Sequence, residues 1–223
     1  MARPVTLEQL IARIRRRADM ADDPSVTDAD ITDIINCSSW PELYDLRIRG
    51  YGNDSDCSAG SPTVTGADMQ FPTDFYALRK IFVVDNGRAT ALKRATDDEM
   101  ASGFGSKGKP THYFFTGNAC LLLPEPDATY QYAFMYYPSA PVLVDPADTI
   151  DDVNGWTEFI VVDAAMQLLQ REESDVSVLM AQKEALRQRI QQAAANRDQA
   201  SPPRVTDVAG GQDADLVLTG FYS

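Results

Sequence analysis

One histidine, His112, stands in a chain of 223 residues. Every Ser-His-Asp or Cys-His mechanism would have to use it, and no GxSxG elbow or other nucleophile motif accompanies it. It is read as a surface or edge-strand residue. Cysteine is also scarce: Cys37, Cys57 and Cys120 are odd in number and form no CxxC pair. One histidine cannot complete a zinc pattern from so few partners, so the cysteines are read as free thiols in a reducing cytoplasm. The glycines form neither GxGxxG after a strand nor GxxxxGK[ST], which removes the usual phosphate cradles. No run approaches the roughly 18 apolar residues that would cross a bilayer, and MARPVTLEQLIARIRRR holds no secretory h-region. A soluble protein made inside the cell is expected, without membrane contact or cofactor.

Positive charge is in deficit as well. Lys and Arg number 20 against 33 Asp and Glu, a formal net charge of −13. Such a surface does not hold phosphate backbones by counterion release, although an acidic wall could let DNA slide past. With so many carboxylates, pairs arise by proximity alone. Glu125 with Asp127, and Asp145, Asp148, Asp151 with Asp152, are the densest. They are read as solvated connections; the 145–152 run lacks the register of a calcium loop, and proximity in a loop does not make a glycosidase pair.

What the chain has is a change of period. Residues 1–49 read as helical. Thr6 with Gln9 forms a capping box ahead of Leu7, Leu10, Ile11 and Ile14. Arg13, Arg15, Arg16 and Arg17 crowd the end of that helix. Thr27 caps a second helix with Ile31, Ile34 and Ile35 on one face; Pro41 kinks or restarts it, and Trp40, Leu43, Tyr44 and Leu46 continue the burial. Residues 50–66, rich in Gly, Ser, Asn and Asp, read as a long exposed loop.

From 67 to 154 the period becomes two. Asn86-Gly87 joins ALRKIFVV to ATALKR, and Gly117-Asn118 joins THYFFT to ACLLL, two hairpins. A short helix from Thr96 to Gly103 and a flexible GFGSKGK lie between them, and TYQYAFMYY extends an antiparallel meander. Its aromatics could form a stacking platform, but Tyr130, Tyr132, Phe134 and Tyr136 alternate as core residues do. Residues 155–200 return to helix, with Trp156, Phe159, Met166 and Leu169, then Val176, Leu179, Met180, Leu186 and Ile190, as stripes. Lys183, Glu184, Arg187, Gln188 and Arg189 read as an outer polar face. Residues 201–223 form an arm whose apolar end cannot bury itself alone. The fold class is α+β: an antiparallel helical bundle of the N- and C-terminal helices, an inserted antiparallel β domain, and an extended C-terminal arm.

Several short signals in fixed order carry a resemblance. Phe71-Pro72-Thr73-Asp74-Phe75 precedes the first long strand, and Gly108-Lys109-Pro110-Thr111-His112-Tyr113 enters the second hairpin. Pro124-Glu125-Pro126-Asp127 is followed by Tyr130 and Tyr136-Tyr137, then by Leu143, Pro146 and the helix from Trp156. From its first helix to about residue 200 the chain resembles the head-to-tail adaptor (connector) proteins of short-tailed phages, the tail tubular protein A-like group. The resemblance implies a structural virion protein of the tail or neck, assembled in the host cytoplasm. It implies a homododecameric ring between the portal and the tail nozzle or tube, through which double-stranded DNA passes. The β domain would face the tail, and the arm, through Leu216, Val217, Leu218, Phe221 and Tyr222, would bind the portal. Arg13, Arg15, Arg16 and Arg17 would then be candidates for channel or DNA contact. Some related adaptors carry a cell-wall hydrolase activity, but no residues here match one. The alternative class is a carbohydrate- or ligand-binding β module, which would expose Tyr113 and Tyr132.

Overall fold

The computed structural model describes residues 3–51, 58–60, 63–64, 68–85, 87–103, 105–117 and 119–195. It is a mixed α/β protein with two hydrophobic cores. The chain starts with β1 (Arg3–Thr6) and α1 (Leu7–Arg17). The capping box forms as the sequence predicts: Gln9 N–H donates to Thr6 Oγ1 at 3.2 Å, and Thr6 N–H donates to Gln9 Oε1 at 3.4 Å. Thr27 does the same for α2 (Asp28–Ile34) through Asp30. A π turn at Ile35–Ser39 separates α2 from α3 (Trp40–Tyr51). Trp40 N–H there reaches back five residues to Ile35 O, one step ahead of Pro41, which has no N–H to donate. The helix restarts at the proline without breaking.

Residues 50–66 are not wholly a loop. Within them β2 (Ser58–Gly60) and β3 (Thr63–Val64) pair antiparallel with β10 (Tyr130–Pro138). Backbone pairing asks little of side chains, so a Ser, Ala, Gly and Thr segment can add to an edge without an apolar signal. The expected meander is two sheets. In the first, β10 lies between β2 and β5 (Phe75–Asp85), which pairs with β6 (Arg88–Ala91). In the second, the order is β4 (Asp68–Gln70), β9 (Ala119–Leu123), β8 (His112–Thr116), β7 (Lys93–Arg94), the last pair being parallel. Pro124 and Pro126 stop β9, and the chain crosses to the other sheet instead of running back beside it. Both predicted hairpins form, with Gly87 at φ +76° and Gly117 at φ +57°; Asn86 and Asn118 lie outside the described residues. After α4 (Asp97–Gly103), the GFGSKGK segment is not free: Glu125 N–H donates to Ser106 O, and Gly108 N–H to Glu125 O, each at 2.9 Å.

Side chains from both sheets meet in one aromatic core of Met69, Phe71, Ile81, Tyr132, Phe134 and Tyr136 with their neighbours. Residues 139–154, expected within the β region, belong to the other core. There β11 (Thr149–Asp152) pairs antiparallel with β1, and Leu143, Ile150 and Trp156 pack with α1, α2, α3, α5 (Glu158–Arg171) and α6 (Ser177–Ala195). Burying each such side chain contributes about 1.5–3 kcal/mol.

Candidate functional site

The most constrained polar group is Asp163, in the middle of the apolar run of α5 and 1% exposed. Ser39 Oγ donates to its carboxylate at 2.7 Å, Gln167 Nε2 at 2.9 Å and Lys183 Nζ at 2.7 Å. Lys183 also reaches Glu42 at 2.8 Å, and Glu42 pairs with Arg187. One network therefore ties the π turn, α3, α5 and α6. Burial alone would lower the Lys183 pKa, but the two carboxylates outweigh it and hold the ammonium above its ordinary value. This corrects the sequence reading of α6: Lys183 and Arg187 face inward, while Met180, expected in the apolar stripe, is 55% exposed. The readable signal was an aspartate one helical turn from Phe159 inside FIVVDAAMQLL. Its donors and acceptors are committed to one another across these elements, and what they fix is the orientation of the helices.

The four arginines of α1 do not share one surface. Arg15 turns toward α2, donating to Asp28 Oδ1 and to Val26 O, both at 2.6 Å. It is a helix-to-helix clamp. Arg13, Arg16 and Arg17 line a shallow groove of about 330 Å³ with Glu158 and Val161. Arg17 donates to Gln182 at 2.7 Å and lies 3.5 Å from Glu158. Arg16 donates Nε–H to Ala12 O at 3.1 Å.

On the other side of the buried stripe, α1, α2 and residues 142–146 enclose a larger groove of about 770 Å³. Its wall is fixed by backbone contacts. Asn36 makes a two-way bond with the Leu143 backbone at 2.8 and 2.9 Å. Leu7 N–H donates to Asp148 O at 2.9 Å and Glu8 N–H to Pro146 O at 3.2 Å. Backbone bonds from Val144 and Asp145 hold the Asp148 carboxyl below its usual range. The result presents Val142 and Val144 at 68% and 78% exposure.

The other candidate residues are used locally. His112 sits between β7 and β9 and is therefore not on an edge; Thr111 Oγ1 is 2.9 Å from its Nδ1. Among the described residues no carboxylate lies within hydrogen-bonding reach of its ring. Tyr132 is fully buried, against the expectation for a stacking platform, and its phenol is pushed up to about 12 by burial. Cys120 is buried and likewise pushed up to about 12, while Cys37 is exposed with its thiol donating to Asp33. Asp127 accepts from Tyr130, Asp145 from Ala147 N–H, and Asp152 from Thr157 N–H. Asp151 and Asp152 lie in β11, not in a loop. Among the described residues no cluster of His, Cys, Asp and Glu could hold a metal ion, and no helix is long and apolar enough to cross a membrane. Leu216, Val217, Leu218, Phe221 and Tyr222 lie outside the described residues.

A family model described as SU10 adaptor protein matches residues 5–207. No curated protein matches the chain. The match covers both cores and all of the sequence signals that carry the head-to-tail adaptor resemblance, and the chain belongs to the SU10 adaptor protein family, a family of structural phage adaptors.

Proposed function

We propose that the protein forms a ring between the portal and the tail nozzle or tube of a phage, and that DNA passes through the ring during packaging retention and ejection. The family match over residues 5–207 carries this reading. In it, the helices of both chain ends form the antiparallel bundle that packs between neighbours in a homododecamer. The inserted β domain faces the tail, and the arm at 201–223 binds the portal through Leu216, Val217, Leu218, Phe221 and Tyr222. A charge of −13 per copy makes the ring acidic, so that duplex phosphates are repelled and slide. The protein works by contacts with other chains and not by catalysis.

Deleting residues 205–223 tests the reading. The truncated chain should fold with the same helical signal but fail to bind purified portal, as read by native mass with and without portal. Portal binding equal to that of the full chain would remove the arm from the mechanism. A full-length chain that never forms an oligomer, alone or on portal, would remove the ring.

A further inference from the structure

The two grooves beside α1 are opposites. Leu7, Leu10, Ile11 and Ile14 make the buried stripe of the helix. On one side of it lies the larger groove, where, among the described residues, Glu8, Asp28 and Asp33 stand against one arginine, Arg15, already neutralised by Asp28. On the other side lies the smaller groove, where, among the described residues, Arg13, Arg16 and Arg17 stand against one carboxylate, Glu158. The first has a surplus of negative charge in a molecule that is already acidic. The second holds the densest cluster of positive charge in the chain, and Arg13 makes no ion pair among the described residues.

Exposed apolar side chains accompany both faces. Val142 and Val144 stand on the rim of the acidic groove, on a backbone held by the Asn36 bond to Leu143 N–H and the Asp148 bond to Val144 N–H. Val178, 68% exposed, lies one turn before Gln182, the residue that receives Arg17. A surplus of one sign with exposed valines on one face, and the opposite sign with an exposed valine on another, fits a joint between two copies of the chain. Arginine stems can lie along the valines while their guanidinium groups reach the carboxylates.

We infer that the acidic groove of one copy receives the arginine groove of the next copy. The contact uses two different faces and is therefore heterologous, so it propagates around a ring and does not stop at a dimer. This deepens the ring reading and rests on it. It also assigns Arg13, Arg16 and Arg17 to the joint between subunits and not to the DNA path.

The test is a charge exchange in the full-length chain, read by native mass and sedimentation in solution and on purified portal at low salt. One variant carries R13E, R16E and R17E; the other carries E8K and D33K. Asp28 is left alone because it holds Arg15 inside the fold. Each variant by itself should associate at least tenfold more weakly than the unaltered chain, because like charges then meet at every joint. An equimolar mixture should assemble again, in alternating copies, since each joint then pairs opposite charges. Misfolding could not be rescued by mixing. Variants that assemble alone as well as the unaltered chain would overturn this pairing of faces and leave the ring reading standing, as would a mixture no better than its parts. If the unaltered chain forms no oligomer in either setting, the ring reading falls and this inference with it.

Discussion

The core shared by α1, α3, α5 and α6 is filled largely with aliphatic side chains and wrapped around one buried carboxylate. The core between the two sheets is richer in rings, and among the described residues it buries no charged side chain. Phe71 stacks on Phe75 at 4.1 Å and on Phe115 at 5.3 Å, and meets Phe134 edge-on at 5.4 Å. The difference follows from what fixes each element. Sheet register is set by the alternation of apolar residues and by the hairpin turns, so apolar packing is enough to join two sheets. Helices can slide and rotate on an aliphatic surface. A paired charge at Asp163 gives α3, α5 and α6 one arrangement, which is specificity more than added stability.

Removing the charge partner should have the largest effect. Asp163→Ala takes the acceptor from the Ser39 hydroxyl and leaves Lys183 with Glu42 alone and Gln167 with Ser38, and should cost about 3 kcal/mol or more. The midpoint of denaturant unfolding measures it, read by tryptophan fluorescence, since Trp40 and Trp156 both lie in the helical core. A cost below about 1 kcal/mol would mean that the network orients nothing. Phe71→Ala should cost about 3 kcal/mol through the aromatic core alone. Access of a thiol reagent to buried Cys120 reads that core, and its midpoint should move more than the tryptophan midpoint. Equal movement would show that the two cores unfold as one unit.

Alkali should separate the cores more gently. Cys120 has an ordinary value near 9.0 and is pushed up to about 12 by burial. The unfolded chain therefore loses that proton first, and stability falls as pH rises above about 9. Lys183 is raised above its ordinary 10.5, so its contribution is complete below that value and is lost only as pH climbs through the raised one. Unfolding midpoints between about pH 8 and 11 should fall first in the aromatic core, and Cys120→Ala should flatten that early slope. The smallest effect should come from Tyr132→Phe. The Tyr132 hydroxyl is buried without a hydrogen-bond partner among the described residues. Removing it should leave stability unchanged or raise it by up to about 1 kcal/mol, measured by the same midpoints.

Local features were legible in the sequence. The Thr6 and Thr27 caps, the stripes of α1 and α2 and both hairpins depend on residues within a few positions of one another, and all form. Trp40, Leu43, Tyr44 and Leu46 are buried as their spacing predicts. Features that depend on distant partners were not legible. Lys183 reads as outward because a hydrophobic pattern cannot see that Asp163 and Glu42 wait inside. Arg15 resembles its neighbours until Asp28 and Val26 take it. The assignment of β10 to β5 instead of β9 rests on backbone bonds between segments nearly fifty residues apart. The larger groove needs α1, α2 and residues 142–146 together, and no local motif announces it.

The pairing of β1 with β11 has a consequence for how the chain is made. Val5 lies opposite Ile150, and the core around them also needs Ile190 and Ala194. Among the described residues the aromatic core draws on residues 69–136. A chain emerging from the ribosome can complete the sheets while α1, α2 and α3 still lack the helices that cover them. Those first helices are thus the part of the nascent chain that waits longest for its covering partners, until synthesis has passed Ala194.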